Sequence, residues 1–279
     1  MKLDDLVIRR MSRTELDVAL DWAAAEGWNP GLHDAESFHA VDPDGFFLAE
    51  CAGEALGCIC ATAYDEAFGY VGLLIVRPPY RGQGVGARLL SVALRHVQGR
   101  NVGLDAAIAM QEFYARYGFE FAYRNIRQRC VGGGQSPTGL MELASVPFEE
   151  IQRYDATVFP TARPTFLSRW IAQSSASLAV IREQELAGYG VLRACREGYK
   201  MGPLFADDPE IADALFQGLR ARASGAAVFL DTPDANPEAI ELATRRGLTP
   251  IFDAARMYRR GTPPGRIDHC YGVTTLELG

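Results

Sequence analysis

Residues 76–90 read VRPPYRGQGVGARLL, and three alternate positions within them, Gly82, Gly84 and Gly86, carry no side chain. Pro78 and Pro79 cannot donate to a strand ladder, so the apolar run before them ends there. After Arg81 apolar residues recur at helical spacing, at Val85, Leu89, Val92 or Ala93, and Val97. The glycines therefore precede a helix whose first four amides lack intrahelical partners and whose dipole adds about half a positive charge. Backbone bared in this way suits an anion that must come close, and a phosphate or diphosphate is the expected occupant. Two common phosphate loops do not fit. A P-loop needs Gly-Lys-Ser/Thr, and Gly86 is followed by Ala87 and Arg88. A dinucleotide fingerprint needs G-x-G-x-x-G in a parallel sheet, whereas this G-x-G-x-G follows three apolar runs that read as an antiparallel meander.

Those runs are GFFLAE (45–50), LGCICATAY (56–64) and GYVGLLIV (69–76). Ahead of them Ser12 and Glu15 form a capping box for a helix carrying Leu16, Leu20 and Ala23 and closed by Gly27. The loop Trp28-Asn29-Pro30-Gly31 follows, with Asp34 placed to cap a second short helix. Beyond the glycine loop and its helix come a strand, RNVGLDA (100–106), and a helical stretch, MQEFYARY (110–117).

The run Val76-x-Pro78-x-Tyr80-Arg81-Gly82-Gln83-Gly84-Val85-Gly86 resembles the acetyl-CoA motif of the GNAT acetyltransferases, Arg/Gln-x-x-Gly-x-Gly/Ala. The resemblance implies that the strand before the loop splays from its neighbour and that its exposed backbone pairs with pantetheine. Leu74 and Val76 would then touch pantetheine, and Arg81, Gly82, Gln83, Gly84, Val85, Gly86 and Ala87 would wrap the diphosphate. Tyr114-x-x-x-Gly118-Phe119 resembles a second element of the family and puts Tyr114 where the general acid usually sits; core packing beside Phe113 and Tyr117 is its other reading. One departure is Ala107, where the family often has asparagine. Acetyl transfer to an amine also needs a free lone pair. An alkylammonium of pKa about 10.4 lies about 3.4 pH units above neutrality, so deprotonating it costs roughly 4.6 kcal/mol unless the site supplies a base. Asp105, at the end of the strand that would flank the splayed one, is the candidate base; capping the following helix is its alternative role.

The second half repeats the first. Glu54 to Cys60 compares with Glu185 to Val191 at an offset of 188 minus 57, or 131; Leu104-Asp105 compares with Leu230-Asp231 at 231 minus 105, or 126; and Gly118-Phe119 compares with Gly247-Leu248 at 247 minus 118, or 129. The deficit falls where KMGPLFADDPEIADALFQGL (200–219) replaces the glycine loop, leaving Asp207 and Asp208 where phosphates would sit, and Ala243 stands at the tyrosine position. The second copy is thus expected to bind no CoA. The expected fold is α+β: two tandem GNAT-like domains, each a central, mostly antiparallel sheet with a splayed strand pair, flanked by helices. Residues 1–130 would form the catalytic domain, 131–138 a linker and 139–279 a degenerate domain with a substrate-site or structural role. The paired copies are similar to the YitH-like subgroup of the family. Trp28 and Asn29, with Tyr189, Arg193 and Asp231 from the second copy, are the candidate substrate contacts, and the last segment, HCYGVTTLELG, could complete either sheet and bring Glu277 or Gly279 near the cleft.

Composition narrows the partners. A net charge of -7 without a basic block argues against nucleic acid or an anionic membrane. No window approaches the roughly 18 uninterrupted apolar residues of a membrane span, and a cytoplasmic location is expected. Six cysteines without a Cys-x-x-Cys pair and four scattered histidines point to buried thiols, with no metal and no disulfide framework. The resemblance implies transfer of an acetyl group from acetyl-CoA to a primary amine of a small molecule or amino-acid-like acceptor, by direct attack in a ternary complex, in a monomer or homodimer. The alternative is a CoA or acyl-CoA sensor that retains the loop without turnover.

Overall fold

The computed structural model describes residues 5–279. In the first half the chain runs β1 (Val7–Arg10), α1 (Arg13–Ala25), α2 (Asp34–Val41), β2 (Phe46–Cys51), β3 (Glu54–Ala63), β4 (Phe68–Val76), α3 (Val85–His96), β5 (Asn101–Ala107), α4 (Gln111–Ala115) and β6 (Glu120–Val131). The second half repeats that order with β7 (Met141–Glu142), α5 (Phe148–Val158), α6 (Pro164–Ala172), β8 (Ala176–Arg182), β9 (Glu185–Ala194), β10 (Tyr199–Ala206), α7 (Pro209–Arg222), β11 (Ala227–Pro233), α8 (Pro237–Arg245) and β12 (Thr249–Tyr258), and a short β13 (Cys270–Gly272) closes it. The internal repeat is therefore present element by element. Local signals set the boundaries: Ser12 and Glu15 form the reciprocal capping box of α1, whose Leu16, Ala19, Leu20 and Ala23 are buried.

All the described strands join one sheet, in the order β1-β2-β3-β4-β5-β12-β6-β11-β10-β9-β8-β7, with β13 on β10. Each half has given its last strand to the other. β12 lies against β5, from Ala254↔Ala107 to Tyr258↔Gly103; β6 lies against β11, from Ala227↔Val131 to Pro233↔Asn125; and β6 and β12 pair with each other from Thr249↔Arg129 to Tyr258↔Glu120. In space, then, neither half is the continuous stretch that a division at 131–138 implies. The stretch expected as a linker is also tied down. Gly132 donates to the Ala226 carbonyl at 2.7 Å and Gly133 to the Arg220 carbonyl at 2.8 Å. A Cβ at Gly132 would lie 1.9 Å from the Ala223 carbonyl oxygen, so only glycine fits that packing. One apolar core also spans both halves, with Phe38 of α2 stacked on Trp170 of α6 at 6.2 Å.

The feature that positions a site is the parting of β4 and β5. They pair in parallel only over residues 68–71 and 101–104, although β4 continues to Val76 and β5 to Ala107. A bulge in β4 accompanies the divergence: the register against β3 shifts between Cys58 and Cys60, and Leu73 has φ +49°. In the second half β10 and β11 pair only over residues 199–201 and 228–230. There the gap is filled by the protein itself. β13 pairs with β10 at Leu204↔Gly272 and Phe205↔Cys270, and the Val273 amide donates to the Asp231 carbonyl at 2.9 Å. No helix of the described residues is long and apolar enough to cross a membrane.

Candidate active site

The glycine loop opens α3 as its spacing requires. Gly84 is the N-cap in the left-handed conformation, φ +83°, and no side chain caps the helix; Gly82, at φ +71°, makes the turn before it. The amides of Val85, Gly86 and Ala87 precede the first intrahelical bond, Arg88 to the Gly84 carbonyl at 3.2 Å. The two polar side chains of the loop brace it. Arg81 Nε donates to the Val76 carbonyl at 2.7 Å and its guanidinium pairs with Glu26, while Gln83 Nε2 donates to the Pro79 carbonyl at 2.9 Å. The equivalent helix α7 is closed. Asp208 caps it, accepting from the amides of Glu210 and Ile211 at 3.0 and 2.9 Å, and pairs with Arg182 at 2.6 Å. In the second half, then, a carboxylate covers the helix terminus and β13 fills the strand gap.

Between the parted strands of the first half lies a cavity of about 90 Å³. Leu73 and Leu74 of β4 and Asp105 and Ala107 of β5 line it, together with Tyr114, Met110, Trp28, Arg127, Phe252 and Glu277. Tyr114 is buried and packed edge-on against Phe113 and Phe119. Burial pushes its hydroxyl well above the usual tyrosine value, so the proton is firmly held at neutral pH. Val76 follows Leu74 on the open stretch of β4, half-buried, where its side chain would stand 3.5 Å from a Cβ at Gly86.

Two comparisons decide the family. Residues 13–119 match the acetyltransferase (GNAT) family model, and residues 151–272 match a second acetyltransferase (GNAT) domain model. Holothin acyltransferase of Pseudoalteromonas sp. (strain SANK 73390) is 30% identical over 96% of this chain and 92% of that protein. The chain belongs to the GNAT acetyltransferases. It is an acyl-transfer enzyme of the tandem-domain kind. The N-acetyltransferase YitH of Bacillus subtilis, itself uncharacterized, is 22% identical over 91% of this chain and 91% of that one. A solved structure from Pyrococcus horikoshii shares the fold with a TM-score of 0.86 at 21% identity, over 100% of this chain and 98% of that one.

Within this GNAT fold several expected site residues lie elsewhere. Asp105 does line the cavity, but as an anchor. Its side chain is 1% exposed and pairs with Arg256 through both oxygens, at 2.8 and 3.0 Å; the Tyr70 hydroxyl donates to it at 2.6 Å and Asn125 Nδ2 at 2.8 Å. Four donors leave no lone pair for an amine proton, so the geometry corrects the free-base expectation, and the residue caps no helix either. Asn29 is pinned outside the cavity, its side chain bonded in both directions to the Glu197 backbone at 2.9 and 2.8 Å. Tyr189 is wholly buried, donating to Asp155 at 2.6 Å. Arg193 pairs with Asp34 of α2 at 2.9 and 3.2 Å beneath Trp170. None of these three residues lines the cavity between β4 and β5. Asp231 stands one residue behind the cavity, holding Arg127 at 2.7 and 2.9 Å; burial opposes both charges, and each partner more than offsets it, so the Asp231 carboxyl stays below its usual value and the Arg127 guanidinium above. Trp28 does line the cavity, and its carbonyl accepts from Arg127 Nη1 and Lys200 Nζ, both at 2.8 Å.

Phe252, Ala254 and Arg127 reach the site through the exchanged strands β12 and β6, and Leu276 and Glu277 through the last segment. A one-dimensional pattern carries no signal for the first three, since it gives a strand's period and not its partner.

Proposed function

We propose that this GNAT transfers an acetyl group from acetyl-CoA to a primary amine of a small molecule, by direct attack while both substrates are bound. The observation that carries the reading is the pairing, in one half only, of an uncapped glycine loop at the start of α3 with an unpaired strand gap that opens into the Tyr114 cavity. The residues fit the cosubstrate. The amides of Val85, Gly86 and Ala87, with Gly82 and Gly84 bare, would hold a diphosphate, and the free backbone edge of β4 around Leu74 and Val76 would pair with the amide-bearing pantetheine arm. The thioester then meets the cavity. Tyr114, which keeps its proton at neutral pH, would donate it to the departing thiolate. Leu73, Leu74, Met110 and Phe252 give the cavity an apolar lining.

The acceptor side of this cavity comes largely from the second half and the exchanged strands, so the first half would serve the cosubstrate and the rest would shape the acceptor pocket. The name of the holothin acyltransferase, a relative over nearly the whole chain, agrees with a small-molecule acceptor. The test is thiol release from acetyl-CoA across benzylamine, tyramine, putrescine, glucosamine and aniline. Release that depends on an amine and yields its N-acetyl product is expected; binding of acetyl-CoA with no amine-dependent release across the panel would favour a sensor and overturn the reading.

A further inference from the structure

Five buried carboxylates lie in or near the core, and four are matched. Asp34, Asp105, Asp155 and Asp231 each hold an arginine, respectively Arg193, Arg256, Arg163 and Arg127, through both oxygens. Glu277 is different. It is 3% exposed and lines the cavity, yet no ion pair among the described residues includes it. One oxygen accepts a short bond from Thr275 Oγ1; the other has no protein partner among the described residues. Glu277 makes no direct ion pair among the described residues although Arg127, Arg193 and Lys200 all lie near enough to feel its charge, and a buried carboxylate with an open oxygen at a substrate cavity points to use.

The backbone that carries Glu277 is fixed. After β13 the chain crosses to the first half and packs on the bulge of β4, where a Cβ at Gly72 would stand 2.0 Å from the Glu277 carbonyl oxygen. The Cys60 thiol donates to that oxygen at 3.6 Å, and the Tyr64 hydroxyl donates to the next carbonyl, of Leu278, at 2.9 Å. The carboxylate is thus delivered to the wall of the parted strands by a segment that begins in the other half. Three cations, Arg127, Arg193 and Lys200, face it within reach of its charge, and none is hydrogen-bonded to it. Arg127 of β6 is held by Asp231, and Arg193 of β9 by Asp34. Lys200 of β10 donates to the Trp28 carbonyl instead, and burial followed by Arg127 pushes its ammonium below the usual lysine value. On β5 the Asp105 carboxylate is neutralised by Arg256, and Tyr114 keeps its proton.

We propose that Glu277 is the proton acceptor for the incoming amine, and that the same carboxylate selects acceptors that arrive as ammonium ions. The proposal rests on the acetyl-transfer reading above. The acceptor enters as R-NH3+ and gives one proton to the free Glu277 oxygen. The amine lone pair then forms the N–C bond to the thioester carbonyl carbon, the C–S bond breaks, and the sulfur leaves with its electron pair and takes the Tyr114 proton. The second nitrogen proton is lost as the amide forms and, through solvent, restores Tyr114. Glu277 releases its own proton to solvent, so that R-NH3+ and acetyl-CoA become amide, CoA thiol and one H+.

The test uses the full chain with acetyl-CoA and the fastest alkylamine of the panel. Glu277→Gln is expected to lower kcat/KM at neutral pH about a hundredfold, within the usual worth of a positioned base, while the CoA dissociation constant stays within twofold and Glu277→Asp recovers part of the loss. The pH profile supplies a readout that a structural role would not move. With a carboxylate base the native kcat/KM is level between roughly pH 6 and 8; without one it climbs tenfold per pH unit with the free amine. A native profile that climbs in this way overturns the proposal, even if the Gln variant fails to fold. Native-like turnover by Glu277→Gln, or loss of CoA affinity in step with rate, does the same while leaving acetyl transfer intact. Absence of turnover by the native chain overturns the underlying reading and the proposal together.

Discussion

At Tyr114 burial keeps the proton on the oxygen and so opposes the release that an acid role requires. The apolar wall of Phe113 and Phe119 that shelters the ring also keeps its proton on the oxygen, and among the described residues that hydroxyl has no partner to give the proton to. Removing the oxygen should therefore spare folding and cosubstrate binding and strike the chemical step. Tyr114→Phe is expected to leave the CoA dissociation constant unchanged and to lower kcat at least about tenfold, a floor beneath the roughly hundredfold or more that a positioned proton donor typically supplies; steady-state kinetics with the amine found in the panel would check it, and unchanged kcat would remove the acid role. Tyr114 was legible in the sequence because its spacing to Gly118-Phe119 is local. Asp105 was legible as a strand end and misread as free, because the guanidinium that engages it belongs to Arg256, 151 residues further on. Glu277 could be placed only as a possible neighbour of the cleft, since its contact with Cys60 spans 217 residues.

Among the elements, α3 and α7 show how one fold position takes two fates. Both begin just after a strand that leaves its neighbour, but α3 starts at bare Gly84 and α7 at the capping Asp208. A carboxylate at Gly84 should copy the second fate. Aspartate tolerates the left-handed conformation at about 1 kcal/mol, so Gly84→Asp is expected to keep a native-like melting curve while weakening CoA at least about tenfold by calorimetric titration, equivalent to about 1.4 kcal/mol; an unaltered dissociation constant would show that the diphosphate does not use these amides. The loop, its helix and the repeat offsets were readable because each depends on neighbours in the chain. The exchange of β6 and β12 was not, since both strands keep the same alternation whether they pair within their own half or across it.

For the whole molecule, the consequence is that the two copies form one structure. A continuous sheet, a shared core at Phe38 and Trp170, and a last segment that fills the second gap before lining the first leave the halves no separate existence in space. In the second half the position equivalent to the cleft is filled by β13, and Tyr189 and Arg193 lie buried in ion-paired or hydrogen-bonded contacts with Asp155 and Asp34. The central claim is the proposal that the cosubstrate seat lies at the parted strands β4 and β5 of the first half. A crystal structure of the complex with CoA tests it most directly. The account predicts one CoA per chain, its diphosphate on the amides of Val85, Gly86 and Ala87 and its thiol pointing toward Tyr114; a diphosphate seated at α7, or a pantetheine arm lying outside the gap between β4 and β5, would contradict it.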